Sequence, residues 1–410
     1  MRLAFAAVLL ATGVAAAEPR LAPHYAIELT LDPNAHALSA NVELQLPSRE
    51  STAPEAFLLG GAYAVSDASA DTGATISVKP PAGPGAPQTI LVIRDGAHQA
   101  KPVSVRLHYA GPLQETGGIN AVDMDRIELS ADALWYPLST NFNAKITFDA
   151  RISGMPTDFV VASPDAVSSD GTARRIVRQR PSQDIAFYAS ATLQRLDLGR
   201  LQLYARTPDK PQVQNYRSYG PRALAFLEAL LGPCPRRQLV VAVADRKSGV
   251  GYSRPGYVVV ASAEGVDPKN IWAAGGYIAH ELSHAWWSNA DFTGEDYWLV
   301  ESTAEYSALR FVEDVWGRAE RVRMLDAKRD RSARGGPILG HDRPSDDAVY
   351  ARGPLLLFEL EDRIGRSALA AILRDLSQKE HIVTADFIKL LGERAGAETA
   401  AEFQAKLQAK

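Results

Sequence analysis

Hydrophobic and polar residues alternate along several stretches in the first half of the chain. A period of two is typical of strands that bury one face. Turn-rich segments separate these stretches, and no helical period of useful length interrupts them. The pattern therefore predicts an all-β domain over residues 18–205. It is clearest at residues 25–31, 42–46, 103–109 and 146–152.

Helical periodicity dominates the second half of the chain. Residues 219–231 have the apolar spacing of an amphipathic helix. The continuous apolar runs at 238–244 and 257–261 are typical of buried strands. From about residue 268 onward the pattern is mostly helical. We therefore predict a multidomain α+β protein, in which a mostly helical domain over residues 206–410 follows the β-rich domain.

The N-terminus has the pattern of a secretory signal peptide. Residues 1–17 combine the positive charge of Arg2, an apolar stretch and an alanine-rich cleavage site. This segment is too short to span a bilayer, which requires about 20 apolar residues. No other apolar stretch of the sequence is long enough either. We therefore expect a secreted or periplasmic protein without stable membrane insertion.

Charge and cysteine content exclude several classes of function. The 410 residues include 44 basic and 48 acidic side chains, so the formal net charge of −4 favours no nucleic-acid partner. The basic stretch at residues 318–334 is best interpreted as a solvated helix face. Cys234 is the only cysteine, which excludes an intramolecular disulfide and a cysteine-rich zinc site.

Residues 280–284 form an HExxH motif. On a helix, positions i and i+4 share one face, so His280 and His284 project side by side. Their imidazole nitrogens can then bind one metal ion. Glu281 lies next to the first ligand, where its carboxylate can accept a proton from water at the metal. With one acidic ligand added, this donor set is typical of a zinc hydrolase.

The motifs that follow resemble those of the gluzincin zinc aminopeptidases, the family of membrane alanyl aminopeptidase and leukotriene hydrolase. HExxH is followed by AWWSN at residues 285–289, YWLVES at 297–302 and YARG at 350–353. In that family, a glutamate in a WLxE context is the third zinc ligand, and a tyrosine near the last motif stabilises the tetrahedral intermediate. The resemblance implies a saddle- or sandwich-like β domain followed by a thermolysin-like, mostly helical zinc-peptidase domain.

Carried over residue by residue, the resemblance implies a complete catalytic site. The ligands of Zn²⁺ would be His280, His284 and Glu301. Glu281 would be the general base, and Tyr350 would stabilise the oxyanion. A further electrostatic contribution could come from Arg352.

The position of the third ligand departs from the family's usual spacing. Sixteen residues separate His284 from Glu301, two fewer than usual, and Thr303 occupies the usual position. Glu305 lies one turn further along the same helix face. We prefer Glu301 because it lies in the WLxE context and because a loop between helices can lose two residues at little cost. Glu305 then supports the metal site or faces the substrate.

A second departure concerns recognition of the substrate's N-terminus. A buried ammonium needs a carboxylate partner, yet residues 249–256, where the family has its acid, contain none. Arg254 would even repel an ammonium if it faced the cleft. Glu305 and Glu128 are the replacement candidates. Glu128 qualifies because the family's β domain contributes an acid or amide to the same pocket.

The sequence thus predicts an exported zinc metallopeptidase, most simply an aminopeptidase, with a peptide as its partner. Because the chain ends at Lys410, the resemblance implies a short form without the family's C-terminal helical domain. Two alternatives stay open. One is an endo- or oligopeptidase with relaxed N-terminal selectivity, and the other is an inactive binding or scaffold protein of the same fold.

Overall fold

The computed structural model describes residues 22–51, 53–96, 101–114, 118–246, 251–261, 270–340 and 343–409. The signal peptide predicted for residues 1–17 lies outside the described residues. Within the described ranges, no helix has both the length and the apolar character that crossing a membrane requires.

The first part of the chain consists of strands, which confirms the prediction from alternation. In the first strand, Tyr25, Ile27 and Leu29 are buried, whereas Glu28 and Thr30 are exposed. The strands up to residue 190 are β1 (His24–Asp32), β2 (Ala37–Leu46), β3 (Glu55–Leu59), β4 (Ala64–Ala70), β5 (Ala74–Lys79), β6 (Gln88–Arg94), β7 (Val103–Pro112), β8 (Ala121–Val122), β9 (Ile127–Leu129), β10 (Leu138–Ser139), β11 (Ile146–Ser153), β12 (Val160–Ala162), β13 (Ala166–Asp170), β14 (Ala173–Ser182) and β15 (Phe187–Ser190).

Among the described residues, these strands form three sheets around one hydrophobic core. The largest sheet has the order β13-β14-β11-β1-β2-β7-β4, and the smaller sheets have the orders β10-β3-β6-β5 and β12-β15-β9-β8. β1 pairs in parallel with β11 and antiparallel with β2. Buried aromatic rings fill the core, and the rings of Tyr25 and Tyr136 meet edge to face at 5.7 Å.

The second part combines a mixed sheet, of order β16-β17-β18-β20-β19, with packed helices. The strands predicted at 238–244 and 257–261 are confirmed as two neighbouring, parallel interior strands of this sheet. The elements are β16 (Gln194–Leu198), β17 (Leu201–Ala205), α1 (Pro211–Leu231), β18 (Leu239–Ala244), β19 (Tyr252–Arg254), β20 (Tyr257–Ala261), α2 (Tyr277–Trp287), α3 (Tyr297–Trp316), α4 (Arg318–Arg334), α5 (Gly353–Ile364), α6 (Arg366–Ser377), α7 (Thr384–Ala395) and α8 (Ala397–Gln408).

The helix predicted for residues 219–231 begins earlier, at Pro211. A proline suits the first helical turn because its missing N–H would have no partner there. Val213 and Tyr216 are buried and attach these early turns to the core. The polar residues around them conceal the helical period in the sequence.

Strand pairing crosses the predicted boundary between residues 205 and 206. β16 and β17 precede that boundary, yet β17 pairs in parallel with β18, a strand of the second part. The sequence shows β16 and β17 only as two more strands, since a pairing partner leaves no local signal. Their hydrogen bonds place the start of the second part before Gln194.

A small core joins the two parts beside the edge strand β19. Tyr188 of β15 packs in this core with Tyr252 and Tyr257. The Tyr257 hydroxyl also donates a hydrogen bond to the Ala162 carbonyl oxygen at 3.2 Å. The joint therefore fixes β19 against the first part of the chain.

Close packing of α3 against the start of α5 depends on Gly353. A Cβ atom at this position would lie 1.9 Å from Ser302 Oγ, which is a severe steric clash. The Ser302 hydroxyl in turn donates a hydrogen bond to the Val349 carbonyl oxygen at 2.7 Å. This bond attaches α3 to the π-helical turn Ala348–Arg352, which includes Tyr350.

We expect Gly353→Ala to lower the free energy of unfolding by about 1–3 kcal/mol, because the added methyl group displaces Ser302. Gly392→Ala is the matched control. In α7 the new Cβ would meet only Ala400 Cβ, at 3.6 Å, and alanine is the better helix former. Chemical denaturation of both variants measures the difference, and equal stability of the two would contradict the proposed packing.

Candidate metal centre and active-site cavity

The HExxH motif lies on α2, which packs against α1 and α3. The helix continues directly from a π-helical turn, Trp272–Gly276. His280 and His284 follow one another on the same face, with ring centroids 4.9 Å apart. The helical spacing thus brings two imidazoles together, as the motif predicts.

Glu301 approaches both imidazoles from α3. Its Oε2 atom lies 3.3 Å from His280 Nε2 and 3.7 Å from His284 Nε2. The other oxygen accepts a hydrogen bond from the Tyr297 hydroxyl at 3.2 Å. Oε2 is buried and receives no hydrogen bond from any described residue. A buried carboxylate oxygen in this situation needs a compensating partner.

These three side chains fit a zinc ion. Their nearest ligand atoms all lie within 4.8 Å of one another. Tetrahedral bonds of about 2.0–2.1 Å separate zinc ligands by roughly 3.3 Å, close to the distance between His280 and Glu301. Two nitrogens and one oxygen also match catalytic zinc sites, in which three protein ligands leave one position open.

Glu305 holds the first imidazole in place from behind. Its Oε2 atom lies 2.9 Å from His280 Nδ1, so that Nε2 faces Glu301. Lys328 donates hydrogen bonds to the other Glu305 oxygen and, at 2.9 Å, to the Tyr350 carbonyl oxygen. We predicted that Glu305 either supports the metal site or faces the substrate. The buried position of its carboxylate behind His280 fits the first role.

The electrostatics of this group favour positive charge at its centre. Burial lowers the pKa of His280, but the neighbouring Glu301 and Glu305 carboxylates raise it to about 10. Burial raises the pKa of Glu301, but His284 and His280 lower it to about 2. Both carboxylates are therefore ionised and stabilise a cation, whether a proton on the imidazole or a metal ion.

Glu281 has a hydrogen-bond partner that sequence reasoning missed. The Ser253 hydroxyl on β19 donates to Glu281 Oε2 at 2.5 Å. Ser253 lies within residues 249–256, where an acid was expected and not found. Its role follows from the position of β19 at the sheet edge next to α2, which the sequence does not show. The bond fixes the carboxylate of the predicted general base.

Tyr350 lies over the metal-binding group. Its ring stacks on the His280 ring with centroids 6.1 Å apart, and its hydroxyl oxygen is 3.4 Å from that of Tyr297. Burial and the nearby Glu301 carboxylate raise the pKa of Tyr350 above its ordinary value. Tyr350 therefore keeps its proton and can donate a hydrogen bond.

Arg352 does not face the same space as Tyr350. Its guanidinium donates hydrogen bonds to the backbone carbonyl oxygens of Gly336 and Lys406, each at 3.1 Å. The helical turn that directs Tyr350 inward directs Arg352 toward the C-terminal helices. The structure therefore does not bring Arg352 to the group of His280, His284 and Glu301, where we expected it to contribute electrostatically.

Glu128 pairs with two arginines rather than with His280, His284 or Glu301. It is fully buried on β9, 3.4 Å from Arg246 Nε and 3.7 Å from Arg126 Nη1. Burial raises the pKa of Glu128 to about 7, although both arginines lower it. Tyr252, rather than Glu128, lines the cavity beside His284 and Glu301.

A cavity of about 640 Å³ opens beside the metal-binding group. Its wall includes His284, Glu301 and Tyr350, as well as β19 and parts of residues 131–146. Several apolar side chains line it: Leu138, Phe142, Trp287, Phe292 and Val300. A volume of this size suits a small ligand or short peptide segment.

Arg254 lines the cavity but is not a free cation. Its Nε donates to Asp184 at 2.5 Å, and its Nη2 donates to Asp132 at 2.7 Å. Two carboxylates around one guanidinium leave a net negative charge. The repulsion of an ammonium that we expected if Arg254 faced the cleft is therefore offset by Asp132 and Asp184. Both acids come from the first part of the chain, so the local sequence does not show them.

The sequence matches no protein-family model, but solved structures share the fold. The M1 zinc metallopeptidase from Deinococcus radiodurans superimposes with a TM-score of 0.69 at 18% identity, over 95% of each chain. A mutant of that enzyme bound to a Tyr-Ser-Ala substrate has the same values. Yeast LTA4 hydrolase gives a TM-score of 0.74 at 17% identity, over 94% of this chain and 67% of its own. The predicted resemblance is confirmed at the level of architecture: this chain has the fold of the M1 zinc metallopeptidases.

Proposed function

We propose that this protein is a zinc-dependent metallopeptidase, most simply an aminopeptidase. The convergence of His280, His284 and Glu301 carries the proposal, since two of the three, His284 and Glu301, line a peptide-sized cavity. The fold supports it, because the similar structures are named as zinc metallopeptidases.

The side chains that line the cavity and those directly behind its wall can divide the steps of peptide hydrolysis among them. His280, His284 and Glu301 would hold Zn²⁺, which when bound polarises a carbonyl group and makes water more acidic. Glu281 accepts the proton of the attacking water and passes it to the leaving amine. Ser253 keeps the Glu281 carboxylate in position for both transfers. The Tyr350 hydroxyl donates a hydrogen bond to the oxyanion that develops on the scissile carbonyl.

The acidic group around Arg254 supports recognition of a free N-terminus. Asp132 and Asp184 together outweigh the single guanidinium, and the Asp132 side chain is 47% exposed. An ammonium in the cavity can therefore pair with Asp132, which takes the role predicted for Glu128 and Glu305. An endopeptidase is the second candidate, favoured by the fact that Arg254 already engages both acids.

The protein would meet its peptide substrate outside the cytoplasm. This part of the proposal rests on the signal-peptide pattern of residues 1–17.

Zinc binding is expected to separate the roles of the two glutamates on α3. The wild-type protein should bind one zinc ion per chain, and Glu301→Gln should lose it because a ligand is removed. Glu305→Gln should still bind zinc, with an affinity about 10–100-fold lower, as for other residues that orient a ligand. Elemental analysis and titration against a competing chelator measure both effects. The reverse order of the two variants would show that Glu305 is the ligand.

Glu281→Gln tests the function itself. With zinc content and melting temperature unchanged, kcat for peptide cleavage should fall by about 100-fold or more, because the proton acceptor is lost. The assay uses matched peptides with free and acetylated N-termini. Preference for the free amine supports an aminopeptidase, and equal cleavage supports an endopeptidase. If the zinc-loaded wild type cleaves neither peptide, the peptidase proposal fails in favour of the scaffold alternative.

Tyr350→Phe should lower kcat by about 100-fold, the scale for removing one oxyanion donor, and leave KM nearly unchanged. The reason is that the hydrogen bond forms mainly in the transition state. Tyr204→Phe makes the same chemical change on β17, outside the cavity lining, and should retain full activity. An unchanged kcat in Tyr350→Phe would assign the oxyanion to another donor.

A further inference from the structure

A second cation, Arg343, lines the cavity on the side of α3. Arg254, the other cavity arginine, is neutralised by two aspartates. Arg343 has no carboxylate partner among the described residues, and its guanidinium lies over the ring of Tyr297, 4.1 Å from the centroid. The cavity thus contains a positive charge that the described structure does not balance locally.

The contact with Tyr297, over its ring and with one donor toward its hydroxyl, holds this guanidinium in place and leaves its remaining donors available. Stacking uses the face of the guanidinium plane, whereas its N–H groups point outward in that plane. Pro344, which follows directly, is buried and restricts the backbone at this point. The side chain is therefore preorganised to bind a planar acceptor with two oxygens.

Tyr297 also places Arg343 close to the reaction. The Tyr297 hydroxyl bonds Glu301 and lies 3.4 Å from the Tyr350 hydroxyl. A single aromatic ring therefore separates the guanidinium from the group that would bind zinc. Any substrate group that Arg343 binds must lie within a residue or two of the scissile bond.

We propose that Arg343 binds a carboxylate of the substrate and thereby directs the enzyme to peptides that carry one close to the cleaved bond. Two sources have this chemistry: the C-terminal carboxylate of a di- or tripeptide, and an acidic side chain in a longer peptide. The inference rests on the proposed peptidase function. Together with Asp132, Arg343 gives the cavity opposite charges suited to a short peptide with both ends free.

A purely structural role for Arg343, as a support for Tyr297, predicts different behaviour. Loss of that support would disturb Glu301 and Tyr350 and would slow the cleavage of every substrate alike. Loss of a carboxylate partner affects only substrates that carry the carboxylate. Arg343→Met retains much of the stem that packs on the ring, and Arg343→Lys retains the charge without the planar fork.

The experiment compares three peptides that share a Phe-Ala N-terminal sequence. The first is Phe-Ala-Ala with a free C-terminus, the second is its C-terminal amide, and the third is Phe-Ala-Glu amide. We measure kcat/KM for zinc-loaded wild type, Arg343→Met, Arg343→Lys and the control Arg329→Met, an exposed arginine of α4 outside the cavity lining. Calorimetric binding of the same peptides to zinc-loaded Glu281→Gln, with and without Arg343→Met, gives a readout independent of turnover.

Wild type should prefer a carboxylate-bearing peptide over Phe-Ala-Ala amide by about 10–100-fold, the scale of hydrogen bonds to a charged group. Arg343→Met should abolish this preference without slowing cleavage of the amide, and Arg343→Lys should retain part of it. Preference for Phe-Ala-Ala identifies the C-terminal carboxylate as the source, and preference for Phe-Ala-Glu amide identifies a side chain.

The role of Arg343 would be overturned if wild type cleaved all three peptides with equal kcat/KM. An equal loss of kcat/KM for all three peptides in Arg343→Met would also overturn it. A failure of the peptidase function is distinguishable from both results. In that case no peptide is cleaved, and the calorimetric comparison of acid and amide still decides whether Arg343 binds a carboxylate.

Discussion

Three buried carboxylates and two imidazoles, one of them buried, meet around one point. The rest of the site depends on the charge that this group requires. Glu281, Glu301 and Glu305 are each less than 10% exposed, as is His280. Lys328 supplies one positive charge to Glu305. Buried charges without partners are strongly destabilising, so a further cation between the imidazoles and Glu301 completes the balance. The raised pKa of His280 has the same cause, because the neighbouring carboxylates stabilise a positive charge on the imidazole.

The fold meets this requirement by distributing the groups over several rigid elements. α2 carries the imidazoles and Glu281, and α3 carries Glu301 and Glu305 one turn apart. Gly353 allows the turn with Tyr350 to approach α3, where Ser302 fixes it. The edge strand β19 contributes Ser253 from the other side. Because α2, α3 and the turn with Tyr350 belong to one packed core, small displacements in any of them would disturb the geometry of the whole site.

The sequence predicts those parts of the site that depend on local spacing. His280 and His284 follow from the helical period, and Glu301 follows from its motif context despite the shortened loop. Ser253 and Lys328 could not be found in this way, because their roles arise only when β19 and α4 pack against α2 and α3. Lys328 lies in a charged stretch that was interpreted as solvated, yet its side chain is only 14% exposed.

Errors in the sequence analysis have the same origin. Arg254 was expected to repel an ammonium if it faced the cleft, but Asp132 and Asp184 reach it from a 3₁₀ helix and a loop far away in the sequence. Arg352 was expected near the oxyanion, but the turn that carries it places alternate side chains on opposite sides. Likewise, the alternation of apolar and polar residues before residue 205 predicts strands correctly, but it cannot show that β17 pairs with β18.

X-ray absorption at the zinc edge, measured on the purified protein after loading with one equivalent of zinc, tests the central claim most directly. The account predicts a four- or five-coordinate site with two imidazole nitrogens and oxygen ligands at about 2.0–2.2 Å, and the loss of one oxygen ligand or of the metal in Glu301→Gln. A zinc ion without imidazole ligands, or no stoichiometric binding by the folded protein, would contradict it.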